Sequence, residues 1–275
     1  MIKLALNQNS CRNLSLLEFI KFSRDFEGVE LNFKKIKRSL SKNLKLKDIV
    51  ETLEIFNLKV FSIFHLKDFS LCSEKDYKTK VLKSLMQMFN LCYKLESNLI
   101  IVNPSKLELS SEDNLIPKRR VINRTIKRLE DLSKKAYNED INLGFEFLSD
   151  SSISTLNDAI EVLEPFESQE NVGYILDTFH IAKSESDYSQ LKNIKEFIFL
   201  IQLSDLKYDK EDVSDILTSL KDAKRVFPGE GNFELKSFLK FTQKIGYSKV
   251  YSIELSEDKC SDNLYKKFKM KFKNI

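Results

Sequence analysis

Residues 171–183 read NVGYILDTFHIAK. Gly173, Ile175 and Asp177 share one parity of a short apolar run, with Tyr174 and Leu176 on the other, an alternation that reads as a strand. An ionised carboxylate that closes a buried strand needs a cation or a dense set of hydrogen-bond donors. His180, one of two histidines in the chain, follows three residues later. Asp and then His at a strand tip is a way to build a metal or proton-transfer site. The plainer alternative is an Asp that caps the following helix. Three other strands end in a similar way, which favours the first reading.

Working outward, KLALNQ (3–8), GVELN (28–32), KVFSIFHL (59–66), NLIIVNPS (98–105) and INLGFEFL (141–148) precede this strand, and IFLIQLSD (198–205) and KVYSIELS (249–256) follow it. Most lead into helical patterns, such as KVLKSLMQMFNLCYKL after the third run. SISTLNDAIEVLE follows the fifth and carries a Ser or Thr to cap its entry. Strand and helix alternating eight times over roughly 250 residues is the layout of an α/β protein, a (β/α)8 TIM barrel. A doubly wound open sheet would bring a glycine-rich phosphate turn after an early strand, and none is present. With no Pro/Gly/Ser linker and no shift of composition, residues 1–275 read as a single domain.

The 275 residues are 42% hydrophobic and 31% charged, enough for a large core and a soluble surface. The formal charge of +4 comes from 45 basic and 41 acidic residues spread along the chain, with no clustered basic face for nucleic acid. KKIKR (34–38) and KKFKMKFK (266–273) read as solvated helix faces. No apolar run is long enough to cross a membrane, and MIKLALNQNS looks like a strand rather than a signal peptide. Cys11, Cys72, Cys92 and Cys260 are scattered, so ordinary reduced thiols in a cytoplasmic protein are expected.

A barrel strand turns one face inward and one to the helices. On the fifth predicted strand Leu143, Phe145 and Phe147 go out and Asn142, Gly144 and Glu146 in. On the eighth, Tyr251, Ile253 and Leu255 go out, leaving Val250, Ser252 and Glu254 inside. On the seventh, Phe199, Ile201 and Leu203 go out, and Ile198, Leu200 and Gln202 in. The second points Gly28 and Glu30 inward, and the first Asn7. Glu30, Glu146, Asp177, Gln202 and Glu254 should therefore meet near the strand C-termini, where barrel active sites form. Four converging carboxylates repel one another, and a divalent cation resolves this, unless they form a polar plug of mutually bonded side chains. Of six glycines, Gly229 and Gly231 bracket Glu230 in RVFPGEGNF (225–233). That is either a shaped loop, with Arg225 as a ligand clamp, or a plain surface turn.

LALNQNS, GVELN, GFEFL, GYILDTFH, IQLSD, R-x-F-P-G-E-G and GYSKVYSIEL, in this order, resemble the sugar phosphate isomerase/epimerase superfamily, the xylose-isomerase-like TIM barrels that include AP endonuclease family 2. The resemblance implies that Glu146, Asp177, Gln202 and Glu254 bind one divalent metal, with Gln202 standing where many relatives carry His. It also implies that His180 lies beside the substrate, and Arg225 and Glu230 on the substrate-facing loop. All-oxygen donors favour Mn²⁺ or Mg²⁺, with Zn²⁺ or Co²⁺ also compatible with the family. The histidine-rich three-zinc site of the endonuclease IV branch has no counterpart, since only His65 and His180 are available.

The expected substrate is a small sugar or polyhydroxy ketone or acid, and the family makes a homodimer or homotetramer plausible. Glu146 and Glu254 form the acid/base pair of an isomerase or epimerase acting through an enediolate. The alternatives are a dehydratase of the inosose or 3-dehydroshikimate type, and a non-catalytic sugar-binding barrel. His65, inward at the end of the third strand, lines the pocket or is a hydrogen-bonded core histidine. Asn7 and Asn103 sit at the tips of strands one and four, and Asp205 is expected to orient a neighbour or cap the loop after strand seven.

Overall fold

The computed structural model describes residues 3–106, 116–208, 220, 222–255 and 263–273. Ten strands occur in it: β1 (Lys3–Asn7), β2 (Gly28–Asn32), β3 (Lys59–Leu66), β4 (Leu99–Val102), β5 (Asn142–Glu146), β6 (Val172–Asp177), β7 (Ile198–Leu203), β8 (Asp205–Lys207), β9 (Lys224–Val226) and β10 (Val250–Ile253). Eight of these close into a parallel barrel in the order β1-β10-β7-β6-β5-β4-β3-β2. The fold is the (β/α)8 barrel that the alternation predicts. β8 and β9 form an antiparallel hairpin outside the barrel, an element the sequence reading did not anticipate.

The helices form for local reasons that can be read residue by residue. Ser15 and Glu18 make a reciprocal capping box at the start of helix Leu16–Phe22, and Thr155 and Asp158 do the same for Leu156–Leu163. In helix Lys118–Tyr137 the buried Val121, Ile122, Thr125, Leu129, Leu132 and Ala136 recur at three- and four-residue spacing, so one stripe faces the sheet. No helix among the described residues is long and apolar enough to cross a membrane.

Two apolar clusters follow from strand parity. Leu4, Leu6, Val29, Leu31, Leu143, Phe145, Leu176, Tyr251 and Ile253 pack outward with the helices. Ala5, Phe64, Leu99, Ile101, Ile175, Leu200 and Val250 fill the barrel interior, with Phe61 and Phe199 against them. The expected parity of β7 is corrected at its start, where Ile198 joins the outer cluster and Phe199 the inner one. The reason is a bulge: Tyr174 pairs with Ile198 but Ile175 with Leu200, so Phe199 is an extra residue. A matching bulge lies in β3, where Val29 pairs with Val60 and Glu30 with Ser62, turning Phe61 in. Each bulged ring needs a glycine opposite. A Cβ on Gly173 would lie 2.7 Å from the Phe199 ring and 2.2 Å from the Phe197 carbonyl, and one on Gly28 2.6 Å from the Phe61 ring.

Cys72 and Cys92 are free thiols, whereas Cys11 is disulfide-bonded, which corrects the expectation of reduced cysteines at that position. Cys260 lies outside the described residues.

Candidate active site

Strand register alone brings the polar residues of the mouth together. Asp177 at the end of β6 is level with Gln202, and Gln202 with Ser252 of β10, two residues before Glu254. Glu30 of β2 is level with Asn7 of β1 and Ser62 of β3. Glu30 and Gln202 are fully buried, and Asp177, Glu146 and Glu254 are 1%, 2% and 6% exposed. Charged groups held this far from water must be paired, neutral, or bound to something else.

Glu30 is the satisfied member of the group. Asn7 Nδ2 donates to its Oε1 at 2.9 Å and Ser62 Oγ to its Oε2 at 2.8 Å. Gln202 Nε2 donates to both oxygens at 3.3 Å. Burial still pushes the Glu30 carboxyl up, against those hydrogen bonds. Gln202 Oε1, on the other end of the same amide, is buried without a hydrogen-bond partner among the described residues.

The other carboxylates are less well supplied. Glu146 Oε2 accepts from Asn103 Nδ2 at 2.7 Å, and the Asn103 oxygen lies 2.6 Å from His65 Nδ1. Because the Asn103 amide nitrogen is already donating, its oxygen must accept, so His65 carries its proton on Nδ1 and leaves Nε2 as an acceptor. Glu254 Oε1 accepts from Asn9 Nδ2 at 3.0 Å, while its Oε2 is buried with no hydrogen-bond partner among the described residues. Asn9 is a member of this site that the sequence reading missed. Its signal was the polar run NQN at the tip of β1.

Asp177 caps the following helix, the plainer of its two readings, and also pairs with Arg225. Its Oδ1 caps helix Thr178–Lys183 by accepting from the Phe179 N–H at 2.8 Å, and its Oδ2 accepts from Arg225 Nη2 at 2.5 Å. His180 Nε2 stands 3.7 Å from the same Oδ2. One ligand atom each from Glu146, Asp177 and His180 lie within 4.8 Å of one another, a spacing that could hold a metal ion. The hydrogen bonds argue for a different role for the imidazole. His180 Nδ1 accepts from the Ser149 N–H at 3.2 Å, so the neutral ring carries its proton on Nε2 and acts there as a donor, not a ligand. Burial pushes His180 down to about 4 and His65 to about 3, so both stay neutral near pH 7.

Arg225 arrives from β9. Besides Asp177 it reaches Ser204 Oγ at 3.2 Å and the Glu254 carbonyl at 3.3 Å, with Glu254 Oε2 at 4.0 Å. Its guanidinium lies over the Phe179 ring, 4.6 Å from the centroid. The loop after it is tied down by Asp205, which accepts from the Gly229 and Phe233 N–H groups at 3.0 Å each. A Cβ on Gly231 would lie 2.4 Å from Asp205 Oδ1, and Gly229 has φ +77°. Both glycines are thus required by the loop's shape. Glu230 is not brought to the mouth with the other residues. Its carboxylate pairs with Lys267 at 2.6 Å and Lys271 at 3.9 Å, on the C-terminal helix.

Electrostatically the mouth is short of positive charge. Burial first, and then Glu254 and Asp177, push Glu146 well above the usual carboxylate range. Burial pushes Glu254 up to about 7, with Arg225 opposing and Asp177 and Glu30 reinforcing the rise. Burial works against the Arg225 charge, but Asp177 and Glu254 more than offset it and hold it firmly protonated. Glu146, Asp177 and Glu254, if all ionised, leave two negative charges after Arg225 is counted. Two charges, with a buried amide oxygen and a buried carboxylate oxygen that lack a hydrogen-bond partner among the described residues, fit a divalent cation.

Comparison with known proteins decides the family. Residues 23–269 match the model of the xylose isomerase-like TIM barrel. The chain belongs to that family. It is 25% identical over 259 residues to an inosose isomerase of Bacillus velezensis, an alignment covering 90% of this chain and 84% of that one. A 3-dehydroshikimate dehydratase of Pseudomonas aeruginosa is 29% identical over 132 residues, covering 47% of this chain and 20% of that enzyme. The crystal structure of the IolI protein with a bound zinc atom superposes with a TM-score of 0.78 at 23% identity, over 92% of this chain and 89% of that one.

Proposed function

We propose that this chain is a divalent-metal-dependent isomerase or epimerase of a sugar or a related hydroxy-ketone. The observation that carries the proposal is the mouth itself: Glu146, Asp177, Gln202 and Glu254 at neighbouring strand ends, with Gln202 Oε1 and Glu254 Oε2 buried and lacking a hydrogen-bond partner among the described residues. These four residues would hold the cation, Mn²⁺ or Mg²⁺ by the preference of oxygen donors. When bound, the cation would supply positive charge where an oxygen of the substrate becomes negative as the neighbouring C–H proton leaves.

The protein's own groups do the rest. Glu146 and Glu254 exchange the proton, one removing it to give an enediolate and the other returning it to the opposite face or to the adjacent carbon. Their raised proton affinity suits groups that must both take and give a proton near neutral pH. His180, protonated on Nε2, donates to a substrate oxygen, and His65 accepts from a substrate hydroxyl through Nε2. Asn103 fixes the orientation of Glu146 and His65 together. Arg225 orients Asp177 and Glu254 and faces an anionic or polar part of the substrate. Glu230 is left out of this assignment.

The test is exchange of the substrate α-proton with deuterated water in Glu146→Gln and Glu254→Gln, each of which should slow it by roughly 10³-fold. Retained exchange in both variants would refute the assignment. Dehydration is the second reading, favoured by the likeness to a 3-dehydroshikimate dehydratase. It uses the same proton abstraction and then expels a β-hydroxyl, so a conjugated product absorbing in the ultraviolet identifies it.

A further inference from the structure

The third position of the proposed metal set is an amide, and an amide has only one end that can bind a cation. Gln202 could present Oε1 or Nε2 to the mouth, since the two ends are nearly the same size. In the structure the choice is made by Glu30. Gln202 Nε2 is shared between the two Glu30 oxygens at 3.3 Å each, which turns the NH₂ group toward β2 and leaves Oε1 as the end without a hydrogen-bond partner among the described residues. The remaining neighbours of Glu30 reinforce this. Asn7 Nδ2 and Ser62 Oγ donate to it, one to each oxygen, so both Glu30 oxygens act as acceptors.

We infer that Glu30 is a positioning residue for the metal site: it forces Gln202 to offer oxygen, and so fixes both the affinity of the site and its preference for hard, oxygen-seeking cations. Glu30 touches neither the cation nor the substrate. It acts through Gln202, as outer partners of metal ligands generally do. The inference rests on the metal-dependent reading above and goes beyond it, because nothing in the four-ligand set requires a residue on β2.

The test is Mn²⁺ binding, followed by the electron paramagnetic resonance of free Mn²⁺, in the full-length chain stripped of metal. The variants are Glu30→Met, Glu30→Gln, Ser62→Ala, Gln202→Ala and the double variant Glu30→Met with Gln202→Ala, each checked for folding by near-ultraviolet circular dichroism. Glu30→Met removes the acceptor at nearly constant volume and should weaken Mn²⁺ binding about tenfold or more, the usual size of an outer-partner effect. Ser62→Ala removes a Glu30 partner without touching Gln202 and should stay within about threefold of wild type. In the Gln202→Ala background, Glu30→Met should cost less than about twofold further, since the path through Gln202 is already gone. Equal losses in the two backgrounds would mean that Glu30 acts by some other route, and would overturn the inference.

If Glu30→Met does not fold, Glu30→Gln decides the matter: it keeps the volume but replaces one acceptor oxygen by an NH₂ group that can itself donate to Gln202 Oε1, so the orientation is no longer forced. Mn²⁺ affinity should fall, and unchanged affinity is the overturning result. Failure of the wild-type chain to bind any divalent cation would instead overturn the metal-dependent reading on which this rests. Gln202→His gives a further readout. Its imidazole can donate one N–H to Glu30 and offer the other nitrogen, so the ratio of Zn²⁺ to Mn²⁺ affinity should rise about tenfold or more, as nitrogen donors favour zinc. A ratio that stays at the wild-type value counts against Glu30 as the orienting partner.

Discussion

The floor and the mouth of this barrel are built from the same eight strands yet solve opposite problems. At the floor, Ala5, Phe64, Leu99, Ile101, Ile175, Leu200 and Val250 interlock, and Phe61 and Phe199 bulge inward over Gly28 and Gly173. Every group there is satisfied by contact. A few residues further along the same strands, three carboxylates crowd around one guanidinium, and two buried oxygens have no hydrogen-bond partner among the described residues. A fold optimised for stability alone would not leave acceptors bare next to a packed interior. The difference assigns the floor to stability and the mouth to chemistry, and each assignment can be broken separately.

The largest effect belongs to the mouth. Glu146→Gln and Glu254→Gln should each lower the rate of substrate proton exchange by roughly 10³-fold, the scale of a lost general acid or base. Circular dichroism should show both folded, because the floor is untouched. A variant that kept its rate would sever the mouth from the chemistry. Metal is the next largest. Titrating Mn²⁺ into stripped protein to about 100 times its dissociation constant should raise unfolding stability by about 2.7 kcal/mol, read from denaturation midpoints. Glu254→Gln should blunt that gain, and an unstripped chain should carry about one divalent ion by elemental analysis.

The floor supplies the converse. Gly173→Ala would place a Cβ against the Phe197 carbonyl and the Phe199 ring, and should cost about 1–3 kcal/mol in urea unfolding, as overpacking does. Its Mn²⁺ affinity in the folded state should stay within about threefold of wild type, on the expectation that well-separated sites act independently. If Gly173→Ala lost metal affinity in proportion to stability, the division between floor and mouth would be wrong.

The mouth was more legible in the sequence than the floor, for a physical reason. A carboxylate at a strand end cannot be buried without a partner, so Glu30, Glu146, Asp177 and Glu254 declared themselves as soon as parity was counted. Phenylalanine carries no such mark, since it packs equally well inward or outward. One extra residue in β7 moved Phe199 to the inner face and Ile198 to the outer, and strict alternation could not foresee it. The signal in the sequence is glycine: Gly28 and Gly173 fall on the inward parity of their strands, though nothing there names the rings they make room for. Glu230 misled for a related reason. The glycines beside it are required by Asp205 and the loop, while its own side chain turns to Lys267. Asn9 was overlooked because an asparagine after a strand usually does no more than open a turn.

The smallest predicted effect tests the mouth without substrate or metal. Glu254 is raised to about 7, and Glu146 well above its ordinary value of 4.5. In the unfolded chain both carboxyls ionise near 4.5, so between there and their folded values the folded state holds more protons. Stability therefore falls as pH rises through that window. His65 and His180 act with the opposite sign: each is lowered from 6.5, to about 3 and about 4, so they favour the unfolded chain as pH falls below 6.5. Above pH 6.5 the histidines are neutral in the folded chain and lose their remaining charge in the unfolded one within about a unit, so their opposing contribution fades and the glutamates dominate. The urea midpoint of metal-free protein should accordingly decline between pH 6.5 and 8. Saturating Mn²⁺, which needs the carboxylates ionised, should flatten that decline. In Glu254→Gln the decline should be shallower without metal, because one of the raised carboxyls, which include Glu30, no longer titrates. A midpoint that rises over the same interval in metal-free wild type would mean that the carboxylates are already ionised and paired, and that the mouth is not short of positive charge at all.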